Sequence, residues 1–373
     1  MSLKINYKNS IVNFTSALMK NYNVKSEYEP SALIDFLLSK KYRHVVLMVL
    51  DGLGTKVIDD NLSNGSILKT HQIMALNSVY PPTTVAATTA FITGKAPIES
   101  GWMGWHLYLE ANDPSIVLFK NTINATGEAF TKYNVNDKIG YNEWFKVLRG
   151  TTSYKIFPAW SENGVNNFSE GIDKVIEITS KDEKNFTYFY WDNPDALMHE
   201  YGTTSQVVKV NLLDMEEQIN RLAENLPNET IIFITADHGM IDVEPIELNN
   251  YPNLTNCLTK PFSGEGRCAN FYVREDQKAN FVDLFNDLFK DHFILYSKQE
   301  FIETHLAGLY QPHQIIDVAL GDYIAVATGN YFFVEAIKAD DLVFKAHHAG
   351  LTKAEIEIPI ILLKRKDEVI DEE

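Results

Sequence analysis

The sequence predicts an α/β sandwich with a largely parallel central sheet and a small α+β cap inserted late in the chain. Three observations carry this: apolar runs of strand length alternating with helical patterns, acidic residues just after those runs, and a change of pattern near residue 244. His44–Leu50 (HVVLMVL) is an unbroken apolar run that ends at Asp51-Gly-Leu-Gly. Residues 186–191 (FTYFYW) form a second run, rich in aromatics, that ends at Asp192. A third, TIIFIT at 230–235, stops just before Asp237-His238, and residues 357–363 read as a late strand returning to the same sheet. Between the second and third runs, residues 204–226 have helical spacing, with Val207, Val208, Leu212, Met215, Ile219 and Leu222 on one apolar face. Residues 244–346 read differently, with short strands at 269–273 and 322–327 around a helix at 277–290. The expected division is therefore a core of residues 1–243 and 347–373, with 244–346 as the inserted cap. In open α/β sheets ligands bind beyond the carboxyl ends of the strands, which is where the acidic residues fall.

Composition narrows the function. The 373 residues are 45% hydrophobic and 22% charged, ordinary values for a folded protein. No apolar run approaches the ~20 residues of a membrane span, and the first thirty residues lack a signal-peptide pattern. A cytoplasmic protein with no membrane association is expected. Cys257 and Cys268 make neither a disulfide framework nor a zinc knuckle, and read as two buried thiols or a single bridge. The net charge of −17 repels polymeric nucleic acid. It also opposes small anions, unless bound cations reverse the field locally. The sequence carries no signal of oligomeric state.

Several short patterns combine metal-ligating and nucleophilic residue types. Asp195 and His199, in NPDALMHEYG, share one face of a helical turn and can hold one metal; as an isolated pair they also read as a solvated face. Asp237-His238-Gly239 follows a strand, either as an ordinary turn or as two ligands pointing one way, with glycine relieving the crowding. His347-His348-Ala349-Gly350 precedes the last strand. Three aspartates and three histidines suit zinc or manganese. In SVYPPTTVAATTAFITGKAP, Thr83-Thr84 opens a helix at 85–93. A hydroxyl there is either an N-cap or a nucleophile placed where backbone N–H groups favour an anion. A threonine nucleophile needs activation, which a metal beside Asp51 and Asp237-His238 supplies.

The order VVLMVLDG, PPTTVAATTAFITGKAP, NPDALMHEYG, TADHGM, HHAG resembles the alkaline phosphatase superfamily, and more closely its type I phosphodiesterase/nucleotide pyrophosphatase branch. The resemblance implies an alkaline-phosphatase-like sandwich and two divalent metal ions, zinc or alternatively manganese. It assigns Asp51, Asp237 and His238 to one ion, and Asp195, His199 and His348 to the other. Thr84, ten residues before Gly94, matches the family's nucleophile and also contacts the metal; His347 lies beside a ligand position. The family's His-Gly is replaced by Ser100-Gly101. Gly104-Trp105 stands where nucleotide pyrophosphatases carry an Asn pair that contacts a phosphate oxygen.

The implied reaction is hydrolysis of a small anionic phosphate ester through a covalent phospho-threonine at Thr84. A phosphomonoesterase or a phosphonate hydrolase would use the same metals, and an inactive binding homologue would keep the fold alone. Arg267 is expected either to orient substrate or to form a salt bridge. Trp105 and His106 are candidate substrate contacts and Trp102 a further pocket candidate, with core packing the default reading for the two tryptophans.

Overall fold

A computed structural model describes residues 4–338 and 342–365. Residues 1–3 and 366–373, expected in the core, and 339–341, expected in the cap, lie outside the described residues. The central sheet has six strands in the order Gln72–Asn77, Glu357–Lys364, Thr230–Thr235, His44–Leu50, Asn185–Trp191, Thr152–Ile156. Five run in one direction, and Glu357–Lys364 runs against both of its neighbours. The largely parallel sheet is thus as the apolar runs predicted. Strands buried on both faces have no polar side to alternate, so they read as continuous apolar runs. The partly exposed edge strands Gln72–Asn77 and Thr152–Ile156 have no such run, and nothing in the sequence pattern marks them.

Register decides what the strand ends carry. Leu50 lies opposite Trp191, and Val49 opposite Thr235, so three parallel strands end level with one another. Asp51 therefore emerges between the 192–195 turn and Asp237-His238. The helix Gln206–Glu224 starts at Ser205, whose Oγ accepts from the Val208 amide. It buries Val208, Leu212, Met215, Ile219 and Leu222, as spacing predicted. Val207 is a correction: about 100° from Val208 around the helix, it faces away and is 42% exposed.

The segment after residue 244 contains Cys268–Val273, Tyr323–Ala327 and a helix, Lys278–Phe289, that buries Phe281, Phe285 and Phe289. Its sheet has seven strands, because Leu258–Glu265 is extended by His106–Leu107, Ile116–Val117 and Thr122–Ile123. Two-residue strands have no periodicity to detect, so this connection is invisible in the sequence. At the junction the chains nearly touch: a Cβ on Gly104 would lie 3.1 Å from the Gly264 Cα. Cys257 and Cys268 are both buried and free. Among the described residues no helix is long and apolar enough to cross a membrane.

Candidate active site

The nucleophile candidate lies at the start of the helix Thr84–Thr93. The N-cap is Thr83, and neither hydroxyl caps the helix. Thr83 Oγ1 turns away to Glu265 Oε1 at 2.6 Å. Thr84, in the first helical position, keeps its hydroxyl 3.3 Å from both Asp51 Oδ2 and His238 Nε2. The backbone N–H groups of that first turn have no partner within the helix, so they leave positive potential beside the hydroxyl.

Around Thr84 the structure gathers the residues that the sequence scattered from 51 to 348. His238 Nε2 lies 3.3 Å from Asp51 Oδ1 and 3.6 Å from Asp237 Oδ2. His199 Nε2 lies 3.3 Å from Asp195 Oδ2, and His348 Nε2 lies 3.8 Å from Asp195 Oδ1. Asp195 and His199 stand one turn apart on the helix Asp195–Tyr201, on the shared face that their spacing predicted. Two groups, Asp195–His199–His348 and Asp51–Asp195–His238, each offer ligand atoms within 4.8 Å of one another. Asp195 belongs to both, so the centre is more compact than two separate triads.

These residues fit a metal. Asp51 Oδ1, Asp195 Oδ1 and Asp237 Oδ2 are buried and accept no hydrogen bond, which an anionic oxygen tolerates poorly without a cation. Burial and the neighbouring carboxylates push Asp51 well above the usual carboxylate range. Asp237 is pushed up to about 7 by burial and by Asp195. A divalent cation reverses that penalty. The imidazoles are set for it too. His199 Nδ1 donates to the Ala346 carbonyl at 2.8 Å and His238 Nδ1 to the Gly239 carbonyl at 3.0 Å, so each turns a bare Nε2 to the centre. Burial and the adjacent imidazoles hold His348 well below its ordinary pKa, keeping it neutral. The Tyr190 hydroxyl donates to Asp51 Oδ2 and fixes that carboxylate.

Gly239 is needed here for close approach, since a Cβ would lie 2.0 Å from the Ala354 carbonyl oxygen. His347 is committed elsewhere: its Nδ1 accepts the His348 amide at 2.8 Å, and its ring packs on Phe332 and Phe344.

A cavity of about 870 Å³ opens beside Thr84. Thr84, Thr88 and Ile92 line it from one helix face, so it follows that face for ~12 Å. Trp105, Phe157, Trp160 and Tyr190 supply aromatic walls, and the Lys120 ammonium lies 5.5 Å from the Trp105 ring centre. Trp105 is therefore at the cavity, whereas Trp102 is buried with its Nε1 on the Gly140 carbonyl.

Two expected substrate contacts are corrected. Arg267 is fully buried. Its Nε and Nη2 clamp Glu355 at 2.7 and 2.8 Å, while Nη1 and Nη2 reach the carbonyls of Tyr331 and Gly329. It is the salt bridge of the two readings. His106 hydrogen-bonds Ser115 through Nδ1 at 2.7 Å, packs on Phe262, and does not line the cavity. Burial lowers its pKa to about 4. Sequence reasoning misses Tyr190, hidden in an aromatic strand, and Glu265, which no spacing ties to any ligand.

The sequence profile of the type I phosphodiesterase / nucleotide pyrophosphatase family matches residues 45–351. The chain belongs to this family. It is 28% identical over 137 residues to human ectonucleotide pyrophosphatase/phosphodiesterase family member 5, a stretch covering 33% of this chain and 29% of the human protein. The chain thus matches well under two thirds of that relative's length. The fold is similar to murine ectonucleotide pyrophosphatase/phosphodiesterase 5, solved as an inactive Thr-to-Ala variant with AMP (TM-score 0.63, 16% identity, 86% of this chain and 87% of that one). It is also similar to phosphonoacetate hydrolase from Sinorhizobium meliloti bound to phosphonoformate (TM-score 0.62, 14% identity, 88% and 92%). The family and these neighbours are phosphoric ester and phosphonate hydrolases.

Proposed function

We propose that this protein hydrolyses phosphodiesters, with Thr84 as nucleophile. The observation that carries the proposal is Thr84 Oγ1, 3.3 Å from both Asp51 and His238, at a helix start that opens on the aromatic cavity. Asp51, Asp195, His199, Asp237, His238 and His348 would hold two divalent ions, zinc or manganese, which supply Lewis acidity and local positive charge. The chain's own residues do the rest. The first-turn amides face the phosphoryl oxygens, the Tyr190 hydroxyl keeps Asp51 oriented, and Trp105, Phe157 and Trp160 cover the ester's organic group. Attack by Thr84 Oγ on phosphorus displaces one alcohol, which takes up a proton as the Thr84 hydroxyl loses its own, and leaves a threonyl phosphate that still carries the second ester group. Water then cleaves the threonine–phosphorus bond, restoring the hydroxyl and releasing a phosphomonoester. The aromatic walls and the AMP held by the murine relative support a nucleotide ester as substrate.

The test is hydrolysis of thymidine 5′-monophosphate p-nitrophenyl ester, bis-p-nitrophenyl phosphate and p-nitrophenyl phosphate, with zinc or manganese and with chelator. Metal-dependent cleavage led by the diesters and lost in Thr84→Ala supports the proposal. Cleavage led by the monoester, or equal rates in Thr84→Ala, overturns it.

A further inference from the structure

Glu265 is a buried carboxyl group beside the nucleophile turn for which the reaction so far has no use. The hairpin Leu258–Glu265/Cys268–Val273 brings it in from the second sheet, where Gly264 pairs with His106. It accepts the Thr83 hydroxyl at 2.6 Å and the Trp105 backbone N–H. Trp105 also lines the cavity beside Thr84, so the carboxylate is tied to both the nucleophile turn and the cavity wall. The other charged groups felt at this carboxyl are His199 and Asp195, and the Cys268 thiol lies beside it, pushed up to about 12 by burial. No Lys or Arg forms an ion pair with it among the described residues. Two lysines line the cavity: Lys120 extends over Trp105 and is solvent-exposed, so its charge is screened, and Lys155 pairs with Glu143 at 3.1 Å.

We propose that Glu265 determines specificity: its negative charge disfavours dianionic phosphate monoesters and leaves the site to monoanionic diesters. This rests on the phosphodiesterase reading above and assigns its selectivity to a residue. Metal ions attract both substrate types, and the dianion more strongly, so a diesterase needs a counterweight near the non-bridging oxygens. Thr83 and Thr84 are adjacent in the chain, which puts the carboxylate within roughly 10 Å of the reacting phosphorus. One charge at that range, with an effective dielectric near 20, discriminates by about 10-fold or more. Burial pushes the Glu265 carboxyl up to about 7, against the two hydrogen bonds it accepts. Measurements at pH 8.5 therefore hold it as the carboxylate.

The test compares wild type with Glu265→Gln, which removes the charge and keeps an oxygen for Thr83. The kcat/KM ratio of p-nitrophenyl phosphate to bis-p-nitrophenyl phosphate should rise about 10-fold. Calorimetric affinity of the metal-loaded protein for orthophosphate should rise by a similar factor. Thr83→Val removes a hydrogen bond that holds the carboxyl down, so it is compared with wild type at pH 9.5, where the charge is kept, and should leave the ratio at the wild-type value. An unchanged ratio in Glu265→Gln, or an equal rise in Thr83→Val, overturns the proposal. If wild type cleaves neither ester, the phosphodiesterase reading fails, while the orthophosphate comparison still decides the role of Glu265. If Glu265→Gln does not fold, Glu265→Ala takes its place with the same expected rise in the ratio, and an unchanged ratio there refutes the charge argument.

Discussion

The buried pair Arg267–Glu355 lies behind the site and makes a quantitative prediction. Both side chains are fully buried. Glu355 also accepts the Gly350 amide at 2.7 Å and the Thr352 hydroxyl at 2.6 Å, so the pair secures the loop that follows His348. Arg267→Met removes the cation, strands a buried carboxylate, and frees the carbonyls of Gly329 and Tyr331. Breaking such a pair costs about 3–5 kcal/mol. The double variant Arg267→Met/Glu355→Gln leaves no buried charge and should cost less than the sum of the singles by about 2 kcal/mol. Urea unfolding followed by tryptophan fluorescence reads both numbers. Loosening the loop should also weaken metal binding about 10-fold or more, as when a group supporting a ligand is removed. A loss below 1 kcal/mol in Arg267→Met, or strict additivity in the double variant, would refute the argument that this arginine is structural.

The metal-free protein should show a pH dependence that metal abolishes. The Asp237 carboxyl is raised to about 7 by burial and by Asp195, so the stability it contributes is present below about pH 4 and lost as pH rises through about 7. With chelator, the urea midpoint should fall between pH 5 and 8 by the equivalent of about 2–4 kcal/mol, and saturating zinc should remove the fall. Gly239→Ala should destabilise by about 2 kcal/mol or more and reduce metal content measured by elemental analysis, because its Cβ meets the Ala354 carbonyl. Trp105→Ala should raise KM for aromatic diesters by about 2- to 10-fold, measured by initial rates; an unchanged KM would mean that the ring does not touch the organic group.

Much of this protein is legible in its amino-acid order alone. Strands buried on both faces must be apolar throughout, so His44–Leu50 and Thr230–Thr235 stand out as runs and locate Asp51 and Asp237-His238 at one edge. The four-residue spacing of Asp195 and His199 needs only a single helical turn. Each of these signals lies within one covalent stretch, where periodicity and propensity act directly. What the sequence cannot decide is anything requiring two distant stretches to meet. Glu265 and Arg267 are two residues apart in one hairpin, yet one reaches the nucleophile turn and the other clamps Glu355 behind His348. His106 and Trp105 are adjacent, yet only Trp105 lines the cavity. The joining of 106–123 to the second sheet, the sharing of Asp195 between two ligand groups, and the partner that each buried charge finds are all set by packing. A side chain's role depends on the field and the donors around it, and around Thr83 and Thr84 those come from residues 182 and 154 positions away, which only the tertiary structure brings together.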